Sequence, residues 1–469
     1  MEFTKKYPTF DVPKNDGFMI QEFRVSNFLS FRDETVLSFE PVRDGRRSKD
    51  RGKGKGKDNL VHRVNDKTEL LRLAIFYGAN ASGKTNILKA ISFLVSFCKK
   101  RDAKANAPTG VTPFMLNSNT RNLPSCFNIR FFVDGIRYWY SLELDSKKVI
   151  FEALYVYKNN SPQPTSVFKR THNTLEFNAS ENTISSTAKE LLQLYCLSNL
   201  PFFASKAKVN IQLNYVDPVM EFFEDSFMDS EIENDILFTA AEQFVSTAPE
   251  VKEHLLSFLK EADFNISGIT SQKEEVIIPD NLRNAILSDS STPNPIKEQL
   301  KGRSSFNKIK TMFTHKVNNN GVWEEYEFSS QEQSLGTRRI FGLESYLYIM
   351  EEANNVAILD EIDSSLHPDL VDFVLSRFAN CRDSESQLII TTHYTGLFDN
   401  SDLRDDCFWI TEKDKTGASS IRSVGKIKDV RLTSKEKGYR LGKLGGTPKI
   451  ESESAVVPEE MRELTLFDQ

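Results

Sequence analysis

Residues 71–97 read LRLAIFYGANASGKTNILKAISFLVSF. An apolar run leads into a loop with a glycine near each end, and apolar residues at helical spacing follow, which predicts a strand, a loop and a helix. The loop at 78–85 fits the pattern G-x-x-x-x-G-K-[ST] in full. In such a loop the glycines let backbone amides point into an anion-binding concavity, and the helix N-terminus adds a partial positive charge. The segment therefore predicts a site for nucleotide phosphates.

Seven residues of this segment are candidates for binding ATP. They are Gly78, Asn80, Ser82, Gly83, Lys84, Thr85 and Asn86. Lys84 is expected to reach the β- and γ-phosphates, and the Thr85 hydroxyl is expected to bind Mg²⁺. ATP and Mg²⁺ are thus the predicted cofactors.

A second acidic motif lies in the C-terminal half of the chain. Residues 356–361 read VAILDE, an apolar run that ends in two carboxylates. In a phosphate-loop ATPase the first carboxylate, here Asp360, supports the bound Mg²⁺, and the second, here Glu361, polarises the attacking water. The pair predicts the catalytic half of the same site.

Two further segments complete the candidate site. LIITTH at 388–393 has the composition of a buried strand and ends in His393, which is well placed to contact a γ-phosphate. SLGTRR at 334–339 opens a predicted helix. The Ser334 hydroxyl, Gly336 and the free amides of that helix N-terminus form a second phosphate-binding surface.

The four motifs together resemble those of the ABC-type ATPases. They are most similar to the soluble branch that includes SMC-like repair proteins and the RloA/AbiL-type ATPases of phage-defence operons. NFLSF at 27–31 and the glycine-rich stretch at 438–448 are also typical of that branch. The resemblance implies an α/β fold, an ABC-type P-loop ATPase head with sheet lobes around the Walker A helix. It assigns Lys84 and Thr85 to Walker A, Asp360 and Glu361 to Walker B, Ser334 and Gly336 to the signature motif, Asp363 to the D-loop and His393 to the switch histidine.

The chain departs from the ABC-type pattern in two places. Its signature reads SLGT and lacks the LSGGQ of transporters, so the γ-phosphate contact would rest on Ser334 and the Gly336 amide. No Q-loop glutamine is assigned, because Gln163 lies in a turn rich in proline and asparagine and is interpreted as a surface residue.

Composition limits the class of protein. The 469 residues include 60 basic and 66 acidic side chains, a net charge of −6, so overall charge does not indicate a nucleic-acid binder. No apolar run is long enough to cross a bilayer, and the N-terminus lacks a signal-peptide core. The five cysteines include no C-x-x-C pair, which favours a reducing cytoplasm and no disulfide framework.

The pattern along the chain predicts five segments. They are a flexible arm at 1–17, an N-terminal ATPase lobe at 18–185 with a basic Gly/Lys loop at 43–58, a helical insertion at 186–305, a C-terminal ATPase lobe at 306–425, and a glycine-rich stretch with an acidic tail at 426–469. The insertion has no sustained heptads and no C-x-x-C hook, so no long coiled coil is predicted. Residues 279–307, rich in Pro, Ser and Asn, are predicted to be a mobile connection.

Three functions compete at this point. The first is an ATP-hydrolysing sensor or scaffold of a bacterial anti-phage defence system that controls a separate effector, expected to be a nuclease. The second is an SMC-like DNA-maintenance or repair ATPase that clamps DNA directly. The third, the energy subunit of a membrane transporter, is disfavoured by the long insertion between Thr85 and Ser334. The resemblance implies a homodimer or higher homo-oligomer with shared ATP sites and no membrane partner. The trigger, DNA or a phage protein, and the identity of the effector are not specified by the sequence.

Overall fold

The computed structural model describes residues 17–42, 55–104, 106–158, 161–178, 184–228, 234–262, 264–289, 292, 297, 300–302, 304–381, 384–427 and 434–448. The strands in chain order are β1 Met19–Ser26, β2 Thr35–Ser38, β3 Val61–Asn65, β4 Thr68–Leu71, β5 Leu73–Tyr77, β6 Ser125–Val133, β7 Ile136–Leu144, β8 Val149–Tyr157, β9 Thr165–Thr171, β10 Thr174–Phe177, β11 Ile266–Ile277, β12 Ser305–Asn319, β13 Val322–Ser329, β14 Val356–Leu359, β15 Gln387–Thr391, β16 Phe408–Lys413 and β17 Ser419–Ser423. The α-helices are α1 Lys55–Asn59, α2 Lys84–Lys99, α3 Ser186–Leu194, α4 Phe202–Ala207, α5 Asp217–Asp225, α6 Asn234–Thr247, α7 Pro249–Glu261, α8 Asp280–Ser288, α9 Leu335–Ala353, α10 Pro368–Asn380 and α11 Lys435–Arg440.

A five-stranded sheet in the order β14-β15-β5-β16-β17 positions the nucleotide motifs. The first four strands run parallel, and β17 pairs with β16 in the antiparallel sense. Strands covered on both faces read as continuous apolar runs, and every residue of β5, β14 and β15 is buried. Because parallel strands share one carboxyl edge, the loops after β5, β14 and β15 emerge side by side.

A seven-stranded antiparallel sheet, in the order β10-β9-β8-β7-β6-β1-β2, forms the second layer. Asp134 and Gly135 both have positive φ, at 49° and 73°, and close the β6–β7 hairpin that the Asp-Gly pair predicts. Helices α4 and α5 cover its inner face with aromatic side chains, among them Phe222, which stacks on Phe131 with ring centroids 4.1 Å apart.

A buried ion pair ties α4 to this sheet. Arg170 and Glu152 are both fully buried, and Arg170 Nη1 lies 3.1 Å from Glu152 Oε2. The Glu152 carboxylate also accepts hydrogen bonds from the Tyr140 hydroxyl at 2.8 Å and the Phe202 amide at 2.9 Å. Burial raises the pKa of Glu152, and the Arg170 guanidinium opposes that shift.

The segment predicted as a helical insertion contains helices α3 to α8, and it also contains β11. This strand pairs along its length with β12, which in turn pairs with β13 around Asn320-Gly321. The sequence pattern does not predict β11, and its pairing with β12 crosses the predicted boundary at 305/306. Helices α6 and α7 pack on α9. The five segment boundaries stay predictions.

Two predictions about irregular segments need correction. Lys55–Asn59, at the end of the predicted Gly/Lys loop, forms the short helix α1, and Asp280–Ser288, within the predicted mobile connection, forms α8. The rest of the basic loop, the arm at 1–16 and the tail from residue 449 lie outside the described residues.

The longest described helix, α9, has 19 residues, so the described part of the chain holds no long coiled coil, as predicted. Among the described residues, no helix combines the length and the apolar character that a bilayer crossing requires.

Candidate nucleotide-binding site

The phosphate loop joins β5 to α2, as the sequence predicts. Gly83 is the N-cap of α2 with φ of 114°, a conformation that side-chain-bearing residues rarely adopt, and a Cβ there would lie 2.5 Å from Ser419 Oγ. A Cβ on Gly78 would lie 2.5 Å from the carbonyl oxygen of Thr411. The loop therefore packs closely against the Ser419 side chain and the Thr411 backbone, and both positions require glycine. Asn80 is exposed at its tip.

Lys84 lies folded back along the loop. Its Nζ donates to the carbonyl oxygens of Gly78 at 2.9 Å and Ala79 at 3.3 Å. Burial lowers the pKa of Lys84, and the carboxylates of Asp360 and Glu361, among others nearby, oppose that shift. The hydrogen bonds of this buried cation go to neutral carbonyl oxygens, so an anionic phosphate would be a stronger hydrogen-bond partner for it.

Walker A and Walker B meet directly. The Thr85 hydroxyl donates to Asp360 Oδ2 at 2.8 Å, although 275 residues separate the two in sequence. A hydroxyl and a carboxylate are hard oxygen donors of the kind that Mg²⁺ prefers beside nucleotide phosphates. The Ser82 hydroxyl, inside the loop, is buried with no hydrogen-bond partner among the described residues. The donor set, this unpartnered hydroxyl and the Lys84 cation together fit Mg²⁺ and a phosphate chain.

Glu361 stands at the end of β14 with its side chain exposed and φ of 48°. A side-chain-bearing residue with positive φ is uncommon, and such strain is concentrated at functional sites. The Glu361 amide donates to Thr391 Oγ1 at 2.8 Å. The exposed carboxylate beside Asp360 is free to face a water at the phosphate end of the site.

The D-loop residue and the switch histidine are also brought together. The His393 amide donates to both carboxylate oxygens of Asp363 at 3.2 Å, and the His393 side chain is exposed. Ser365, two residues after Asp363, has φ of 62°. The turn after Glu361 is thus attached to the end of β15.

The signature segment forms the N-terminus of α9. Ser334 is its N-cap, and its hydroxyl accepts from the Thr337 amide at 3.0 Å. A Cβ on Gly336 would lie 3.2 Å from the Ser365 carbonyl oxygen, so the signature lies beside the D-loop of its own chain. Ser334 and Leu335 are exposed, Leu335 at 71%.

Four residues at the site were not predicted. Ser30 Oγ accepts from Asn86 Nδ2 at 2.8 Å, and Ser419 Oγ donates to the Ser82 carbonyl at 2.6 Å. Thr391 contacts both Walker B residues. A Cβ on Gly446 would lie 3.5 Å from Gly78 Cα. Ser30 lies in the NFLSF stretch and Gly446 lies in the glycine-rich stretch. These two stretches were the sequence signals that could have identified the two residues.

A family model described as "AAA domain, putative AbiEii toxin, Type IV TA system" matches residues 73–399, more than half of the chain. The chain belongs to this AAA-domain family. The match begins at the first residue of β5 and ends after His393, so it includes all four nucleotide motifs. No curated protein matches the chain.

Several solved SMC head domains have similar structures. The SMC head domain from Thermotoga maritima is 14% identical with a TM-score of 0.39, and covers 86% of this chain and 98% of its own. An SmcHead bound to the C-winged helix domain of ScpA is 14% identical with a TM-score of 0.40, over 86% and 97% of the two chains. An Smc head with an extended coiled coil from Pyrococcus furiosus is 12% identical with a TM-score of 0.38, over 91% and 99%. At these scores the likenesses support no inference about activity or partners.

The family match and the sheet topology confirm the predicted α/β fold of a P-loop ATPase head. They also confirm the broader prediction that the chain is an AAA-type, ATP-binding protein. The narrower RloA/AbiL grouping and the roles of individual residues stay predictions.

Proposed function

We propose that this AAA-domain protein is a Mg²⁺-dependent ATPase that acts as the sensor and scaffold of a bacterial anti-phage defence system. The observation that carries the ATPase part is the direct contact between Thr85 and Asp360, 2.8 Å apart. It joins a complete phosphate loop to an acidic pair at one sheet edge. This arrangement supports nucleotide hydrolysis better than nucleotide storage, because storage does not need an exposed second carboxylate beside the metal ligand.

In the proposed mechanism each residue has one task. Lys84 and the loop amides offset the negative charge of the phosphates, while Thr85 and Asp360 hold Mg²⁺. Mg²⁺, when bound there, would neutralise part of the charge that develops on the phosphoryl oxygens. Glu361 orients the attacking water and takes its proton, and His393 faces the γ-phosphate. Catalysis is then mainly positioning and charge stabilisation, with little covalent chemistry from the chain.

A second copy of the chain completes the site in this proposal. Ser334 and the strongly exposed Leu335 lie beside the D-loop, at the surface. An exposed leucine next to a helix N-terminus suits a contact that forms only when two copies engage over ATP. Binding of ATP then favours the engaged pair, and hydrolysis releases it.

A separate partner protein is the remaining part of the proposal. The description of the matching family names a toxin of a type IV toxin–antitoxin system, which is a two-component arrangement. We propose that the engaged pair holds or releases an effector, a nuclease, in the cytoplasm. ATP with Mg²⁺ is the proposed ligand, and DNA or a phage protein is the proposed trigger.

The test has two arms. Phosphate release is measured with Mg²⁺ and with EDTA, and with and without DNA at two salt concentrations. Mg²⁺-dependent release that DNA does not change supports the sensor, whereas strong, salt-sensitive stimulation by DNA supports the clamp. In the second arm the Glu361→Gln and Lys84→Ala proteins are purified from the native host. A nuclease that co-elutes with the first variant and not with the second supports the proposal, and absence of any nuclease contradicts it.

A further inference from the structure

The Thr391 side chain occupies a central position beneath the two acidic residues. Thr391 is the last residue of β15 and is fully buried. Its hydroxyl donates to Asp360 Oδ1 and accepts from the Glu361 amide at 2.8 Å. A hydroxyl has one proton to donate and lone pairs to accept with, so one side chain serves both neighbours at once.

These contacts fix the orientation of the Asp360 carboxylate. Its Oδ2 accepts from Thr85, in the first turn of α2, and its Oδ1 accepts from Thr391, at the end of β15, so a separate hydroxyl holds each of its oxygens. A carboxylate held at both oxygens keeps a fixed rotamer, and such outer contacts tune a metal ligand. Without Thr391, Oδ1 loses this donor, and of the two hydroxyls Thr85 alone holds the carboxylate, so its orientation is less well fixed.

The same hydroxyl holds the backbone at Glu361 in its uncommon conformation. Glu361 has φ of 48°, and its side chain is exposed. The hydrogen bond to Thr391 and the bond from the Ile362 amide to the Thr391 carbonyl oxygen, at 3.1 Å, secure this bend on both sides of the glutamate. Strained backbone persists where the surroundings over-determine it.

We propose that Thr391 is a positioning residue that sets the orientation of Asp360 and Glu361 together. It links the metal-binding carboxylate to the water-activating carboxylate, so both are in place or neither is. This inference rests on the proposed ATPase function. It extends that function to a fully buried residue at the end of the strand that leads to His393.

The experiment compares Thr391→Val, Thr391→Ser and a control, Thr109→Val. Valine keeps the shape of threonine and removes the hydroxyl, whereas serine keeps the hydroxyl and removes the methyl. Thr109 is a matched control because it is fully buried, and its hydroxyl also donates one hydrogen bond, to the Asp145 carbonyl oxygen at 2.6 Å, and accepts one, from the Val111 amide at 3.4 Å. We expect Thr391→Val to lower kcat by about 10- to 100-fold and to raise the Mg²⁺ concentration for half-maximal rate, as loss of an outer contact to a metal ligand does. Thr391→Ser is expected to retain most of the activity.

A second readout does not depend on turnover. Mn²⁺ binding is titrated by electron paramagnetic resonance with a non-hydrolysable ATP analogue present, and Thr391→Val is expected to bind Mn²⁺ at least fivefold more weakly than the control. Metal-free binding of the analogue should match wild type, because Lys84 and the loop amides are unchanged. Wild-type kcat and Mn²⁺ affinity in Thr391→Val would overturn the inference, as would a Thr391→Ser protein as impaired as the valine variant. Absence of turnover in the wild type contradicts the ATPase proposal instead, and the Mn²⁺ titration still decides the role of Thr391.

Discussion

Lys84 is the cation on which nucleotide affinity should depend most. Its buried ammonium is held by two carbonyl oxygens, which a phosphate chain would replace as partners. Lys84→Ala is expected to weaken ATP binding by about 100-fold, since hydrogen bonds to charged groups contribute about 1.5–3 kcal/mol each. Titration of a fluorescent ATP analogue checks this, with the exposed Lys89→Ala on the same helix as the control. An unchanged Kd in Lys84→Ala would exclude the assignment.

Glu361 is expected to matter for turnover and not for binding. The Glu361→Gln amide has nearly the same shape but is a poor base, so we expect kcat to fall by about 100-fold or more while Kd for ATP stays within twofold. Because the Glu361 side chain is exposed, a folding defect would not explain this loss of turnover. Single-turnover kinetics with radiolabelled ATP provides the measurement, and hydrolysis at the wild-type rate would show that another residue activates the water.

Some of the residues at the site could be predicted from short motifs in the sequence, and others could not. Lys84 and Thr85 follow from one short motif, and Asp360 follows from the apolar run before it. Ser419 touches the phosphate loop across 337 residues of sequence, and only the pairing of β5 with β16 and of β16 with β17 brings it there. The sequence around Ser419 does not indicate its contact with the phosphate loop, because that contact depends on the assembled sheet.

The glycine-rich stretch after α11 is a packing element of the phosphate loop. Gly446 has φ of 72°, and a Cβ there would lie 2.5 Å from Ile410 Cγ2. Gly446→Ala is therefore expected to destabilise the fold by about 1–3 kcal/mol, the usual cost of overpacking, and to weaken ATP binding because the segment would shift against Gly78. The control is Gly135→Ala, since Gly135 has φ of 73° and open space around it.

Urea unfolding and ATP titration on both glycine variants separate the two effects. Backbone strain is the same in each variant. The difference in the free energy of unfolding between Gly446→Ala and Gly135→Ala therefore reports the steric clash alone. If both variants lose equal stability and bind ATP equally well, the stretch does not support the loop.

The buried pair in the antiparallel sheet sets a second expectation, about stability. Arg170→Met leaves the Glu152 carboxylate buried without its counter-charge, and we expect a loss of about 3–5 kcal/mol in the free energy of unfolding. Lys169→Met, one residue earlier on β9 and exposed, should change it by less than about 0.5 kcal/mol. Chemical denaturation measures both, and equal effects would mean that the pair contributes little.

Secondary structure with local signals was predictable, and structure with distant partners was not. The hairpins at Asp134-Gly135 and Asn320-Gly321 were predictable because each contains residues that favour a tight turn. The strands on either side of each turn pair as expected. Strand β11 is largely exposed and polar, and its partner strand begins 28 residues after it ends. Its pairing is decided by β12, so its own sequence carries little strand signal.

The proposed pairing of two subunits has a direct test. Lys84→Ala removes the cradle cation and Ser334→Arg blocks the signature, and each protein alone should be inactive. In a mixed pair one composite site receives both lesions and the other receives neither, so we expect part of the wild-type rate to return on mixing. Fluorescently labelled subunits verify exchange. Exchange without recovered activity would contradict a site shared between subunits.

The position of β5 in its sheet has a consequence for synthesis of the chain. β5 leaves the ribosome before both of its neighbours, β15 and β16, which are encoded more than 300 residues later. Until residues 387–413 emerge, its apolar edges have no strand to pair with, and contacts so distant in sequence form slowly. Nucleotide binding therefore requires synthesis of the chain at least through β16, and a nascent or truncated chain that lacks β15 and β16 has no assembled site with which to hold ATP.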